Sequence, residues 1–484
     1  MGKMSLAVNA RGNLFQTESG FQSRYVGENA DFLRFVGSWA MGIENDSRYA
    51  SINTSTEKEC WPGPIDTLTS IAKDPLDWNE VWTVSRSEVE QHVLKFDEPN
   101  YEMPMSIKNW PAAHKQLHIW AYLAAFVDWN DNGIYDPENG DYPDFSGDKA
   151  IYTISNDQYG EHLASGTEKL IGEQLTELYT LNEFGFENVL FGSTYFINRS
   201  DRTYAPFYFG HMLDFQLGDS SDNRIGTNVS ENMVIGYNGD ELDEGDIGFG
   251  TAIPGVALIY LNQDIYSSSI LVENDPIRGI PKTGQEFESV MSGLWKTGAQ
   301  KSMNLLGTES GAKTRYIYPA QSDPENPDIV WTDESSGEGF GTRKMVLTTK
   351  HNRLKPSEHL KLDFAIIFET QTEGNVPQSL SVQAQKVKNR YRTTVAVENY
   401  TDVSETLFRP NPLKMNGLLN FGREVESVKI WSSQGRLTAD ISREELRKKK
   451  FSFSCNEIVS EGVFIIETKS KDEIRRQKVI VTAE

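Results

Sequence analysis

Short runs of apolar and aromatic residues, each ended by turn-forming residues, constrain the fold of this chain more than any other feature. Beyond residue 188 such runs cover residues 189–198, 206–217, 233–237, 256–261, 344–350 and 360–369. They have the length of strands rather than helices, and Gly, Pro, Asn or Asp flanks them. Many short strands separated by turns favour a β-sandwich, although periodicity alone does not supply the strand order.

Two stretches depart from this strand pattern and predict helices. Leu380, Ala384, Val387 and Tyr391 follow the spacing of one apolar helix face. Residues 114–127 contain few helix breakers and enough apolar side chains for a second helix. The predicted fold class is therefore mainly β, with a β-sandwich body, a few helices and a C-terminal immunoglobulin-like β-sandwich domain.

Length and charge divide the chain into three predicted regions. A chain of 484 residues exceeds one ordinary core, and seven of its ten tryptophans lie within the first 129 residues. Residues 405–484 carry 15 basic and 12 acidic residues, whereas the formal charge of the whole chain is −23. This change of charge follows a polar linker, which is typical of a domain boundary. We therefore predict a Trp-rich region at 1–150, a β-sandwich body at 151–400 and a C-terminal domain at 401–484.

Composition also excludes some classes of function. A net charge of −23 does not suit a general nucleic-acid binder or a partner of anionic membranes. No run of eighteen apolar residues predicts a transmembrane segment. The first residues lack the apolar core of a signal peptide, so an exported form of this chain would require a leader trimmed from the given sequence.

The most specific local motif is an acidic loop that begins at Asp128. With Asp128 as position 1, side-chain oxygens fall at positions 1, 3, 5 and 9, a glycine at 6 and a carbonyl at 7. As far as position 9, this spacing matches the pattern of EF-hand calcium loops. Calcium prefers several oxygen ligands in a flexible cage. Position 12 is Asn139 rather than Glu, so Glu138 or Asp141 would have to close the shell. The predicted ligands of a structural Ca²⁺ are Asp128, Asn130, Asn132, Ile134 (backbone carbonyl), Asp136 and Asp141.

Proline and glycine after this loop exclude an ordinary exiting helix, so the motif is closer to dockerin-like or thrombospondin-like calcium loops. The alternative is a loop rich in Asx turns without an ion, because Asp, Asn and Gly favour turns in any case. Two further acidic groups are more simply interpreted as solvated surface. The first comprises Asp214, Asp219, Asp222 and Asn223, and the second comprises Asp240, Glu241, Asp243, Glu244 and Asp246.

No catalytic signature appears in the sequence. It contains no Gly-x-Ser-x-Gly, no His-Glu-x-x-His and no phosphate-binding Gly-x-x-x-x-Gly-Lys. His114 and His118 are one helical turn apart but have no third metal ligand nearby. Paired carboxylates beside tryptophans would suit a glycan-active hydrolase or a glycan-binding protein, which we keep as the alternative to a non-enzymatic role.

The C-terminal segment contains a series of short motifs in a fixed order. Residues 408–412 read Phe-Arg-Pro-Asn-Pro, residues 428–436 combine an apolar strand with a Gly-Arg turn, and residues 461–467 read Glu-Gly-Val-Phe-Ile-Ile-Glu. Residues 475–481 then place two arginines before an apolar strand. This order resembles the C-terminal (type A) sorting domain of the type IX secretion system of Bacteroidetes. The alternative is a small immunoglobulin-like β-domain without an addressing role.

The resemblance implies partners and a location. The type IX translocon and its outer-membrane shuttle would recognise residues 405–484, and the protein would reach the cell surface or the extracellular medium. The rest of the chain resembles secreted Bacteroidetes proteins that have no assigned activity, on residues 12–15, 61–64, 77–79, 109–112, 147–152, 197–200 and 238–240. We therefore expect an exported, calcium-stabilised structural or adhesive protein, part of a surface assembly, with other surface proteins or glycans as further partners.

Overall fold

The chain forms two units in a computed structural model. The first, which we call the body, spans Met1–Gln385, and the second, the C-terminal unit, spans Lys386–Glu484. The structure describes residues 4–16, 23–25, 31–67, 69–112, 123–130, 132–372, 375–398, 413–414, 418–421, 425–432, 437–449, 452–454, 462–469 and 474–482. The predicted fold class is confirmed, because the chain is mainly β with several antiparallel sheets and few helices.

The described strands of the body are β1 Met4–Leu6, β2 Ser23–Tyr25, β3 Leu33–Glu44, β4 Ser47–Ile52, β5 Trp61–Pro62, β6 Trp82–Ser85, β7 Phe126–Val127, β8 Tyr142–Pro143, β9 Lys149–Asn156, β10 Gly172–Thr180, β11 Val189–Asn198, β12 Phe207–Phe215, β13 Asn223–Asn228, β14 Met233–Asn238, β15 Ile253–Tyr260, β16 Ser267–Ile270, β17 Lys301–Ser302, β18 Lys313–Thr314, β19 Arg343–His351 and β20 His359–Gln371. The helices of the body are α1 Arg86–Lys95, α2 Met105–Lys108, α3 Gly284–Met291 and α4 Asp333–Ser336, and α5 Val376–Glu398 begins in the body and continues into the C-terminal unit.

Two antiparallel sheets build the body. The larger has the order β13-β14-β15-β20-β11-β10-β9-β5, with β6 also paired to β9, and the smaller has the order β16-β19-β12-β3-β4. Strands from the predicted region 1–150 therefore take part in both sheets beside strands from the predicted body. The residues up to 385 fold together as one unit, and no boundary divides them at residue 150.

The core lies between the two sheets. In β12, Phe207, Phe209 and Leu213 belong to the same buried cluster as Phe196 of β11 and Phe364 of β20. The ring centroids of Phe196 and Phe207 are 5.0 Å apart, which is close packing of aromatic side chains from opposite sheets. Alternate residues of these strands supply this core because successive side chains of a strand point to opposite faces.

The outer face of each sheet is also covered. Helix α3 lies on the smaller sheet, where Phe287 packs against Trp39 with ring centroids 4.9 Å apart. Residues between β6 and β9, including α1 and α2, supply a third cluster with Ile154 and Leu175 of the larger sheet. Because both faces are covered, β12 is buried along its whole length, and its sequence is mostly apolar and aromatic rather than alternating with exposed polar residues.

The C-terminal unit contains a smaller sandwich. Its described strands are β21 Leu413–Lys414, β22 Leu418–Asn420, β23 Ser427–Ser432, β24 Leu437–Ser442, β25 Ser452–Ser454, β26 Gly462–Lys469 and β27 Ile474–Thr482, with helix α6 Arg443–Lys448. One sheet has the order β21-β27-β26-β23-β24 and the other pairs β22 with β25. Side chains of both sheets share one core, which includes Leu419, Val428, Phe453, Ile466 and Val479.

The predicted strands and the helix face of α5 are confirmed. The run at 189–198 coincides with β11, and the other predicted runs match β12, β14, β15, β19 and β20 within a few residues. Leu380, Ala384 and Val387 are fully buried on α5, and Tyr391, the fourth residue of the predicted face, is half-buried. The helix predicted at residues 114–127 falls mostly outside the described residues, and where its end is described Phe126–Val127 forms β7 instead. No helix in the described part of the chain is long and apolar enough to cross a membrane.

A buried lysine, Lys301 on β17, is the most unusual group of the core. Its ammonium donates a hydrogen bond to the carbonyl oxygen of Ser268 at 2.8 Å and lies 5.4 Å from the ring centroid of Trp295. Burial disfavours the charged form and lowers the pKa of Lys301 to about 7. Between pH 7 and the ordinary lysine pKa, the unfolded chain therefore binds more protons at this residue than the folded chain.

We predict that Lys301 makes the folded state more stable as pH rises above 7, because unfolding must then take up a proton. Replacing it in Lys301→Met should remove this dependence, so the unfolding equilibrium constants of wild type and variant should diverge by at most about tenfold per pH unit between pH 7 and 10. Urea denaturation across this range measures the difference, with exposed Lys282→Met as the control. A difference that is independent of pH would contradict the prediction.

Candidate calcium-binding loop

The acidic loop, residues 128–141, is closed at its base by a short pair of strands. Strand β7 pairs antiparallel with β8, so Val127 lies opposite Tyr142. The chain therefore leaves and returns at the same point of the body. No lysine or arginine occurs between residues 128 and 148, so the loop's negative charge has no local counter-charge in the sequence.

The first predicted ligand, Asp128, holds the turn of the loop. Its carboxylate accepts hydrogen bonds from the backbone amides of Asn132 at 3.1 Å and Gly133 at 2.7 Å. Gly133 has a φ of +73°, a left-handed conformation that glycine adopts without strain. The glycine predicted at position 6 thus makes the turn that the side chain of position 1 stabilises.

Two further predicted ligands, Asn130 and Asn132, meet at a third, Asp136. The side-chain amide of Asn130 donates to one oxygen of Asp136 at 3.2 Å, and that of Asn132 donates to the other at 2.8 Å. Asn139 also donates to Asp136, at 2.9 Å. Slight burial favours the neutral carboxyl, but the hydrogen bonds from Asn139 and Asn132 lower the pKa of Asp136. The carboxylate therefore stays ionised at neutral pH, as a cation ligand must.

Asp141 fixes the two ends of the loop from a buried position. One carboxylate oxygen accepts the amide of Trp129 at 2.7 Å, and the other accepts the amide of Asp136 at 2.8 Å. Burial raises the pKa of Asp141 to about 6. His92 of α1 donates to its backbone carbonyl oxygen at 3.0 Å. This role of His92 could not be predicted locally, because His92 lies 49 residues from Asp141 in the sequence.

Aromatic residues connect the loop to the body. Tyr135 is buried, and its hydroxyl donates to the carbonyl oxygen of Ile107 at 2.6 Å. Trp129 packs edge-on against Phe96, which follows α1. Both side chains belong to or contact the cluster on the outer face of the larger sheet. A change in the loop would therefore reach the helices that cover this sheet.

The residue types of this loop suit a hard cation. In the structure the side-chain amides of Asn130 and Asn132 donate to Asp136, and their oxygens accept the backbone amides of residues 132 and 134, as in Asx turns. The structure brings together Asn130, Asn132 and Asp136, and it links Asp128 to them through the backbone of residues 132 and 133. The expected lack of an exiting helix is confirmed, because the 3-10 turn Pro137–Asn139 ends at Gly140. Carboxylate, amide and carbonyl oxygens on one short loop are the ligand types that calcium takes in proteins.

His114 and His118 lie outside the described residues. The tryptophans, which would supply stacking surfaces in a glycan-binding site, are packed inside: Trp39, Trp82, Trp110, Trp295 and Trp331 are buried. Trp61, Trp78, Trp129 and Trp431 are half-buried, so no tryptophan in the described part of the chain is fully exposed. These rings therefore act mainly as core residues.

No protein-family model and no curated protein matches the chain. Among solved structures, a polysaccharide lyase is similar with a TM-score of 0.25 and 7% sequence identity, over 99% of this chain and 46% of that protein. The chain thus spans about half the length of that structure. A likeness of this size assigns neither a fold family nor an activity.

We predict that Ca²⁺ raises the unfolding temperature of the full chain through the acidic loop. At a free calcium concentration 100 times the Kd, binding to the folded state alone would stabilise it by about 2.7 kcal/mol. Calorimetry in EDTA and in CaCl₂ should show this gain in the free energy of unfolding for wild type and a smaller gain for Asp128→Ala. The baseline of the variant in EDTA should also fall, because two backbone amides lose their acceptor.

The matched control is Asp144→Ala, which removes an exposed carboxylate just after the loop. It should keep the full calcium increment of wild type. An increment that is unchanged in Asp128→Ala, or no increment in wild type at millimolar calcium, would contradict a calcium site in this loop.

Proposed function

We propose that this chain is an exported, non-enzymatic protein of the cell surface or extracellular medium, with a structural or adhesive task. In this proposal, calcium braces the body through the acidic loop, and residues 405–484 are the address that the type IX translocon and its outer-membrane shuttle recognise. The observation that carries the proposal is the C-terminal unit, which has its own sheets and its own hydrophobic core.

The motifs of the C-terminal resemblance coincide with strands of that unit where they are described. Residues 428–431 lie in β23, Gly462 begins β26, and residues 475–481 lie in β27. Strand β27 pairs with β26 on one side and with β21 on the other. The motifs at residues 408–412 and 433–436 lie outside the described residues. A separable module built from these strands supports an addressing role.

The charge distribution agrees with this division into an address segment and a body. The address segment carries a small positive balance, and the rest of the chain carries an excess of 26 acidic residues. A strongly acidic body suits a protein that works in a medium containing millimolar divalent cations, where these ions bind its carboxylates. Loop calcium sites of moderate affinity are filled under such conditions.

The second candidate function is a secreted glycan-binding protein or glycoside hydrolase. Its expected signature is an exposed tryptophan surface beside two carboxylates about 5–10 Å apart. Five of the nine described tryptophans are buried and the other four are half-buried, which is less than an exposed stacking surface requires and supports the structural or adhesive role. Incubating the full chain with a panel of polysaccharides distinguishes the two candidates: saturable binding or released reducing ends would support the glycan function.

We predict that residues 405–484, fused with a signal peptide to a periplasmic reporter, send the reporter outside a host that has a type IX system. The control ends the fusion at residue 470, which removes β27 from the middle of its sheet and should leave the reporter in the periplasm. Fractionation of cells and medium measures the outcome. Periplasmic retention of the complete fusion, or equal export of both, would contradict the addressing role.

A further inference from the structure

Two acidic groups that are separate in the sequence meet at one end of the hairpin formed by β13 and β14. The register places Asn223, the first residue of β13, opposite Asn238, the last residue of β14. Asp222 immediately precedes the hairpin, and Gly239 and Asp240 immediately follow it. The amide of Gly239 donates to the carbonyl oxygen of Asp222 at 3.0 Å, which extends the pairing to the acidic residues themselves.

Three carboxylates converge at this point. Oxygen atoms of Asp222, Asp240 and Glu244 all lie within 4.8 Å of one another. Asp240 and Glu244 are exposed, whereas Asp222 retains only 7% of its surface. The cluster therefore has a buried end and a solvent-facing end, so that an ion could enter from the solvent and exchange its water for protein oxygens.

Asp222 differs from the other buried carboxylates of the body because both of its oxygens are buried without a hydrogen-bond partner. A buried carboxylate without a partner costs several kcal/mol unless it is neutralised or paired. Burial, followed by the charges of Asp243, Asp240 and Glu244, raises the pKa of Asp222 to about 7. The nearest basic residue in the sequence, Arg224, is paired with Asp333 at 3.1 Å instead.

A neighbouring carboxylate, Asp243, holds the turns that carry the cluster. Its two oxygens accept the amides of Asp219 and Phe249, each at 2.8 Å. Its backbone also pairs with that of Gly250 in both directions, at 2.9 Å. Asp243 thereby closes residues 243–250 and ties them to the turn before Asp222. Asp243 does not belong to the group of three whose oxygens converge, so we assign it a positioning role.

Gly239 allows the two turns to approach. A Cβ atom at this position would lie 2.3 Å from the ring of Phe340 and 2.6 Å from the carbonyl oxygen of Asp222. Beyond it, the amide of Asp240 donates to Asn238 at 3.0 Å, and Oδ1 of Asp240 accepts the amide of Leu242 at 3.0 Å. The position of Asp240 is thus fixed by backbone contacts on both sides.

We propose that Asp222, Asp240 and Glu244 bind a Ca²⁺ ion, at a site distinct from the acidic loop. Oxygens within 4.8 Å of one another can surround one ion at the 2.3–2.6 Å distances of calcium ligands, and water can complete the shell on the exposed side. The set contains only hard oxygen donors, which disfavours zinc and copper. Calcium tolerates an irregular arrangement of carboxylates better than magnesium, which requires near-ideal octahedral geometry.

Calcium titration of the full chain tests this site independently of the acidic loop. In the Asp128→Ala background, isothermal titration should still detect one calcium ion per chain. Adding Asp240→Asn and Glu244→Gln, both at exposed positions, should weaken that binding at least about tenfold by removing two charged ligands. The matched control is Asp246→Asn, an exposed acidic residue of the same turn outside the cluster, which should change the Kd less than about twofold.

Binding that persists unchanged in the Asp240→Asn, Glu244→Gln variant, or that Asp128→Ala already abolishes, would overturn the proposal. If the acidic loop does not bind calcium, Asp128→Ala and wild type will bind the same number of calcium ions per chain. Failure of the acidic loop and failure of the Asp222 cluster therefore give different results. Tighter binding of Mg²⁺ than of Ca²⁺ would also overturn the assignment to calcium.

The role of the buried ligand, Asp222, can be tested separately. Asp222→Asn removes a buried, unpartnered charge, so in EDTA its unfolding temperature should equal or exceed that of wild type. The stabilisation of the Asp128→Ala background by CaCl₂ should disappear in the double variant Asp128→Ala, Asp222→Asn. A destabilised variant that keeps this calcium increment would show that Asp222 has a structural role only, and would overturn the proposal.

Discussion

The contact between the two sheets of the body is the constraint on which the other features depend. Aromatic and aliphatic side chains from alternate positions of β11, β12 and β20 fill this interface. A sheet has two faces, so the same strands also carry apolar side chains that point away from the interface. On β12 these are Tyr208 and Met212, which lie in the cluster under α3. The long connections are therefore needed as covering layers, and the acidic loop is part of one of them, anchored by Tyr135.

The buried carboxylates of these connections show how the protein manages its acidity. Asp141 and Asp243 each accept two backbone amides, so their burial fixes turns at moderate cost. Asp222 is buried at a comparable place, at the end of a strand pair, but its oxygens accept no hydrogen bond. Backbone amides satisfy the first two carboxylates, whereas the third has no protein donor and would need a water, a proton or a cation.

Strand positions were predictable because they depend on local alternation. The run at 189–198 coincides with β11, and the apolar stripe of α5 is buried as predicted. Strand order was not predictable, since β3 pairs with β12 across more than 160 residues. Residues 114–127 illustrate a different limit. An apolar run without breakers suits a helix or a buried strand equally, and pairing of Phe126 with Pro143 decided for a strand at its described end.

The same distinction between local and long-range information separates the two candidate ion sites. The acidic loop is contained in fourteen residues, so its predicted ligands follow from local spacing, including that of Asp128, Gly133 and Asp136. Asp222 and Asp240 are 18 residues apart, and their approach depends on the register of the hairpin between them. Strand β13 was not among the predicted strands, so the register of this hairpin became visible only in the structure. Whether an acidic run next to the end of a hairpin binds an ion is therefore better predicted once the strand register is known. The register decides whether its carboxylates face solvent or lie buried against another carboxylate.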